Sequence, residues 1–153
     1  MTVSYSTLSQ SFSKVKDLDV KALGELIGGK VKQNIDAKIF TNGCAIRMSY
    51  AFNYSGLPIS KSDGAVSSGA DGKWYFYRVS DVIRFIKDRI TDTPVVGTRE
   101  SDFSGKEGII VFSGCGWSDA TGHVDLFSGS RVESLNGNYF GTCSEAELYV
   151  VNF

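Results

Sequence analysis

The strongest constraint on the fold is a change in the spacing of apolar residues at 92–94 (Asp-Thr-Pro). Before this point apolar side chains recur every three or four residues, as on one face of a helix. Beyond it they form short β-type runs separated by Gly, Ser, Asn and Asp, a pattern typical of an antiparallel meander. Helices followed by strands predict an α+β fold. A length of 153 residues with 42% hydrophobic residues fits a single domain over 1–153.

Three helices are predicted in the first part of the chain. The first covers 17–35, with a weak point or break at Gly28-Gly29 because glycine lowers helix stability. The second begins at Cys44, with Asn42 as a possible N-cap. Residues 57–72 have loop composition, and an aromatic strand over 73–79 leads into a third helix capped by Ser80. Strands are predicted at four later runs: 108–112, 122–127, 131–135 and 147–151.

Charge and hydropathy exclude several classes of function. Sixteen Lys and Arg against 17 Asp and Glu leave a net charge of -1, so no overall field recruits nucleic acid or an anionic membrane. No apolar run reaches the roughly 18 residues that a transmembrane helix needs, and the first residues do not form a secretory signal. We therefore expect a protein made in the cytoplasm without a signal peptide and without membrane insertion.

Cys44 and His123 are the candidate reactive pair. A cysteine at the start of a helix has its thiolate stabilised by the helix dipole and by free backbone N–H groups. A thiol nucleophile also needs a base, and His123 is the one histidine of the chain. Cys115 and Cys143 are interpreted as structural residues; they could form a disulfide in an oxidising compartment, which the sequence leaves open. No metal-binding cluster or phosphate-binding loop occurs, so no metal or other cofactor is expected.

Two segments carry a resemblance to a known family. Residues 41–49 (TNGCAIRMS) and 117–127 (WSDATGHVDLF) resemble the signature segments of the type VI secretion amidase effectors, family 4. These are small peptidoglycan amidases similar to the papain-like NlpC/P60 hydrolases. The resemblance implies a papain-like fold in which Cys44, the nucleophile, starts a helix packed on an antiparallel sheet that carries His123, the general base. Residues 1–153 would then be a single catalytic amidase domain.

The resemblance also implies a substrate, a site of action and partners. The substrate would be the stem peptide of peptidoglycan, cut at the bond between γ-D-glutamate and meso-diaminopimelate. The protein would be secreted by the type VI secretion apparatus and would act in the periplasm of a target bacterium. A cognate immunity protein would inhibit it. This route would also account for the absence of a signal peptide.

The third member of the site is less evident, because the family usually has an aspartate on the strand after the histidine. The corresponding stretch, GSRVESLNGN at 129–138, contains none. If it forms a hairpin with the preceding strand, Asn136 lies opposite His123 and Ser134 lies diagonal to it on the same face. Ser134 is therefore the expected orienting residue, and a one-residue bulge would bring Glu133 in instead.

Two further polar residues are expected to lie near Cys44 and His123. Asn42 either contributes its side chain to an oxyanion hole or caps the helix that begins at Cys44. Asp125 shares the face of His123 by strand period and is interpreted as a solvent-facing or substrate-side carboxylate.

Two alternative functions remain compatible with the sequence. A papain-like cysteine hydrolase or deamidase could act on a protein substrate with the same Cys44 and His123. A non-catalytic module could instead bind glycan or a partner through the aromatic strand at 74–77, with Cys44 as an inert buried thiol.

Overall fold

Five helices dominate the first part of the computed structural model, which describes residues 3–117 and 122–151. They are α1 (Tyr5–Phe12), α2 (Val20–Ile27), α3 (Gly29–Asp36), α4 (Cys44–Asn53) and α5 (Val79–Arg89). The helix predicted over 17–35 is interrupted at Gly28, as expected, and α4 begins at Cys44. α1, whose N-terminus is capped by the hydroxyl of Ser4, was not predicted from the sequence. No helix within these described ranges is long and apolar enough to cross a membrane.

The strands form a small sheet and a larger one. The larger, antiparallel sheet has the order β3-β6-β4-β5 and contains β3 (Val95–Gly97), β4 (Glu107–Ser113), β5 (Gly122–Ser128) and β6 (Glu145–Val150). The smaller one pairs β1 (Val66–Ser68) with β2 (Trp74–Phe76). Predicted strands at 108–112, 122–127 and 147–151 are confirmed, whereas β3 was missed and β1 lies inside the predicted loop. The helix predicted from Ser80 begins at Val79.

The predicted strand at 131–135 was wrong, because this run forms no strand. A single bridge joins Phe127 to Val132, in the register of the predicted hairpin, and the backbone N–H of Glu133 donates to the carbonyl of Leu126 at 2.9 Å. The side chain of Glu133 accepts hydrogen bonds from Tyr5 and Ser9 of α1, and the backbone N–H of Leu135 donates to Asp17 at 2.9 Å. These contacts draw the segment toward the N-terminal helix. β6 lies beside β4 on the side away from β5, and β5 is an edge strand of the larger sheet.

The larger sheet has a different apolar cluster on each face. Ile109 and Val111 of β4 belong to the cluster that includes the helices, and Ile110 and Phe112 belong to the other. The same alternation holds along β5, where Val124 and Leu126 join the cluster of the helices. α4, which begins at Cys44, packs against β5, which carries His123.

Candidate active site

The first functional side chain is Cys44, the first residue of α4. Gly43 is the N-cap, and the side-chain oxygen of Asn42 accepts a hydrogen bond of 3.1 Å from the backbone N–H of Cys44. Cys44 is a free thiol with 3% of its surface exposed. The positive end of the α4 dipole therefore acts on a sulfur that has little contact with water. The oxygen of Asn42 is thus engaged with the first N–H group of α4, which leaves its Nδ2 group as a donor.

His123 lies near the start of β5 and is held between aromatic rings. It pairs with Phe112 of β4, and the two rings are stacked with centroids 6.2 Å apart. The ring of Tyr139 approaches the imidazole edge-on at 4.8 Å, and Trp117 contacts Tyr139 at 5.0 Å. These contacts restrict the orientation of the imidazole.

The charge state of His123 reflects its neighbours. Burial alone lowers the pKa of His123, but the interactions of the imidazole with Asp125 and Cys44 outweigh it. The net effect raises the pKa of His123 from 6.5 to about 9. Asp125 of β5 and Cys44 of α4 thus favour an imidazolium at neutral pH.

Asp125 is the hydrogen-bond partner of the imidazole within β5. Its Oδ2 lies 2.8 Å from Nε2 of His123, and its Oδ1 accepts from the backbone N–H groups of Leu126 and Ser134, at 2.8 and 3.3 Å. The residue has no exposed surface. The interpretation of Asp125 as a solvent-facing carboxylate was therefore wrong: the 132–137 segment covers it, with Gly137 so close that an added Cβ would lie 2.4 Å from Oδ2.

Ser134 does not occupy the place expected of it. Its backbone N–H binds Asp125, and the bond to the imidazole comes from Asp125 rather than from the Ser134 hydroxyl. Glu133 is directed to α1, as described above. Ser134 and Asn136 both line the cleft beside His123. The expectation that Ser134 orients the imidazole is corrected accordingly.

An open cleft of about 600 Å³ lies beside this group of residues, with Asn42 and His123 in its lining. One wall is the 16–20 segment, which Arg47 of α4 holds by two hydrogen bonds from its guanidinium to the carbonyl of Leu18, at 3.2 and 2.8 Å. The remaining walls come from the segment before α4, from Trp117 and His123, and from the 134–139 segment. The cleft therefore has polar and aromatic walls next to a buried thiol.

Cys115 and Cys143 form a disulfide, a pairing that the sequence left open. Cys115 follows β4, Cys143 precedes β6, and the backbone N–H of Ser144 donates to the carbonyl of Gly114 at 3.1 Å. The bridge fixes the chain next to Trp117 and Tyr139, the two aromatic residues of the cleft.

Sequence reasoning missed the roles of Asp125, Gly137, Trp117 and Tyr139. The spacing of two residues along β5 was the signal that pointed to Asp125. The contact of Gly137 with that carboxylate depends on how the chain folds after β5, which no local pattern indicated. Residues 118–121 of the second signature segment lie outside the described residues.

The fold is of the papain-like α+β type, with a cysteine at the start of a helix packed on an antiparallel sheet that carries a histidine. A family model for "Type VI secretion system (T6SS), amidase effector protein 4" matches residues 40–150. The chain belongs to this family, and its activity is of the antibacterial peptidoglycan amidase class.

Solved structures agree with this assignment. The type VI effector-immunity complex Tae4-Tai4 from Enterobacter cloacae is 38% identical, with a TM-score of 0.86 over 99% of this chain and 100% of that chain. The effector-immunity system Tae4/Tai4 from Salmonella typhimurium is 40% identical, with a TM-score of 0.87 over 99% of both chains. The effector Tae4 from Enterobacter cloacae is 39% identical, with a TM-score of 0.86 over 99% of this chain and 98% of that chain. Comparison with curated proteins gave no match.

Proposed function

We propose that the protein is a cysteine amidase that hydrolyses the bond between γ-D-glutamate and meso-diaminopimelate in peptidoglycan stem peptides. The observation that carries the proposal is that Cys44, at the start of α4, interacts with the imidazole of His123, which lines an open cleft. A thiol activated by an adjacent base is the arrangement that amide hydrolysis through a covalent intermediate requires.

In the proposed mechanism the thiol proton resides on His123, as the raised pKa of the imidazole favours, and the Cys44 thiolate attacks the amide carbonyl. The resulting oxyanion is held by N–H donors at the start of α4 and by the Nδ2 group of Asn42. Collapse of this intermediate breaks the C–N bond, and the leaving amine receives the proton from His123. Water, deprotonated by the same imidazole, then hydrolyses the thioester and restores the free thiol.

The cleft suits a polar peptide. Lysine, aspartate and asparagine side chains line it beside Trp117 and Tyr139, so carboxylates and amines of a stem peptide would meet polar partners. The net charge of -1 gives no strong overall attraction to the wall, and recognition then depends on contacts within the cleft.

Family membership also supports a proposed route and partner. The type VI secretion apparatus would deliver the protein to the periplasm of a target bacterium, where the wall is accessible. Similar effectors have been solved in complex with Tai4, which supports a cognate immunity protein for this chain.

Digestion of purified sacculi followed by mass analysis of the muropeptides tests the activity and the bond together. The wild type should release fragments ending at D-glutamate and fragments beginning at diaminopimelate. Cys44→Ala and His123→Ala should each lower the rate at least about 10³-fold, because the nucleophile or its base is lost.

Circular dichroism should show that both variants keep the fold. Full cleavage by both variants, or wild-type products cut at another bond, would contradict the proposal. Release of peptides from protein, with sacculi left intact, would instead favour the alternative of a protein-directed hydrolase.

A further inference from the structure

We propose that Asp125 is the positioning residue of this site, acting through His123 to set the tautomer and charge of the imidazole. The inference rests on the proposed function in one respect, namely that Cys44 and His123 carry the reaction. The carboxylate of Asp125 lies on β5, the strand of His123, two residues further along the chain. Ser134 then has no direct role at the imidazole.

The contacts of Asp125 divide its two oxygens between two tasks. Oδ1 accepts from two backbone N–H groups, those of Leu126 and Ser134, and this fixes the plane of the carboxylate. Oδ2 then faces Nε2 of His123 at 2.8 Å. A carboxylate can only accept, so Nε2 must carry the hydrogen of this bond. Nδ1 is left as the nitrogen that can accept the proton of Cys44.

Burial makes this contact strong. Asp125 has no exposed surface, and the 132–137 segment lies over it. With water excluded, the carboxylate charge acts on the imidazole through a medium of low polarity. The bond therefore stabilises the imidazolium that forms when His123 takes the thiol proton.

Within the described ranges 3–117 and 122–151, few other charged or titratable groups share this environment. Cys44 from α4 faces His123, Tyr139 contacts its ring from the segment before β6, and Tyr5 of α1 lies close enough to Asp125 to respond to its charge. Lys16 and Asp17 line the same cleft. Of these groups, Asp125 is the one hydrogen-bonded to Nε2.

Asp125→Asn tests the proposal with almost no change in shape. The two backbone N–H donors require an oxygen opposite them, so the amide NH₂ group must face Nε2. Nε2 then becomes the acceptor and Nδ1 carries the hydrogen, which is the wrong tautomer for accepting a proton from Cys44. We expect kcat on muropeptides to fall about 10²-fold or more, with KM changed by less than about threefold.

A second readout follows the imidazole directly. The chain has one histidine, so its ring C–H signals in an NMR titration belong to His123 without assignment. In Asp125→Asn the midpoint should move to lower pH by at least one unit. A wild-type midpoint or a wild-type kcat in this variant would overturn the proposal.

Asp81→Asn is the matched control. Asp81 is 1% exposed and is paired with Arg78 and Arg84 at α5, so the control also removes a buried carboxylate. It should lower stability and leave the His123 titration unchanged. A shift as large as that in Asp125→Asn would mean that general destabilisation is responsible, and would overturn the proposal.

A second variant covers the case in which Asp125→Asn does not fold. Gly137→Ala retains every polar group, but its Cβ would lie 2.4 Å from Oδ2 and must displace the carboxylate. The His123 midpoint should again fall, whereas Gly141→Ala, with no atom within 4 Å of its added Cβ, should behave as wild type. An unchanged midpoint in Gly137→Ala would contradict the role of Asp125.

The NMR titration does not depend on substrate. Failure of the wild type to cut any stem peptide would therefore contradict the proposed function while leaving the test of Asp125 intact.

Discussion

At the scale of single residues, the site places a carboxylate and a thiol next to one imidazole. His123 interacts with a thiol from a helix and a carboxylate from its own strand. Both interactions favour the protonated ring more strongly than burial disfavours it. The same residue therefore links the chemistry of the cleft to the stability of the folded chain.

This linkage predicts how His123 contributes to stability as the pH changes. Because the pKa of His123 is raised to about 9 from 6.5, its contribution is complete below pH 6.5 and is lost as pH rises through 9. The free energy of unfolding of the wild type minus that of His123→Gln should therefore decline by about 3 kcal/mol between pH 6 and pH 9.5. Urea denaturation over this range measures it, and a difference that grows with pH would contradict the prediction.

The two residues of the proposed reaction, Cys44 and His123, could be predicted from sequence, whereas the carboxylate beside the imidazole could not. Cys44 stands where a local pattern starts a helix, and a chain with one histidine offers one imidazole base. The role of Asp125 depends on the segment that folds over it. A strand period places it on the correct face, but the period does not distinguish a buried carboxylate from an exposed one.

At the scale of elements, the break between α2 and α3 is determined by a close approach of backbones. Gly28 and Gly29 have φ values of 69° and 62°, in the left-handed region that favours glycine. A Cβ on Gly29 would lie 2.6 Å from the carbonyl carbon of Gly69 and 2.7 Å from the nitrogen of Ala70. The turn after β1 thus packs directly on the junction of the two helices.

We expect Gly29→Ala to be markedly destabilising. Gly72→Ala is its control, because Gly72 also has a positive φ, of 77°, but an added Cβ there has no atom within 4 Å. Both variants incur the backbone strain and only the first incurs the clash, so Gly29→Ala should cost about 2 kcal/mol more in the free energy of unfolding. Equal losses in thermal or urea denaturation would contradict this account.

The elements that the sequence did not predict share a physical cause. The long apolar strands and the helix break were predicted because their patterns are local. The run at 131–135 has the composition of a strand, yet hydrogen bonds to α1 and to Asp17 outweigh further pairing with β5. The three-residue strands β1 and β3 are too short for a period to indicate them.

At the scale of the whole molecule, distant parts of the chain are joined around the cleft. The 16–20 segment is held by Arg47, the 131–137 segment by α1, and the chain near Trp117 by the disulfide between Cys115 and Cys143. The bridge spans 28 residues of sequence and encloses all of β5. Its contribution to stability should therefore be large.

Loop-closure entropy for a bridge of this span predicts a stabilisation of about 3–4 kcal/mol. Urea denaturation with and without dithiothreitol should show this loss, with reduction verified by mass. The double variant Cys115→Ser/Cys143→Ser should start from the lower value and be unaffected by reductant. Equal stability of the oxidised and reduced wild type would contradict the prediction.

The distribution of the cysteines has a practical consequence for enzymology. With Cys115 and Cys143 joined, Cys44 is the one thiol available to an electrophile. A reagent directed at reactive thiols should add once per folded molecule and inactivate it. The mass fraction that carries the adduct would then count competent active sites in a preparation, so that turnover numbers can be referred to working enzyme rather than to total protein.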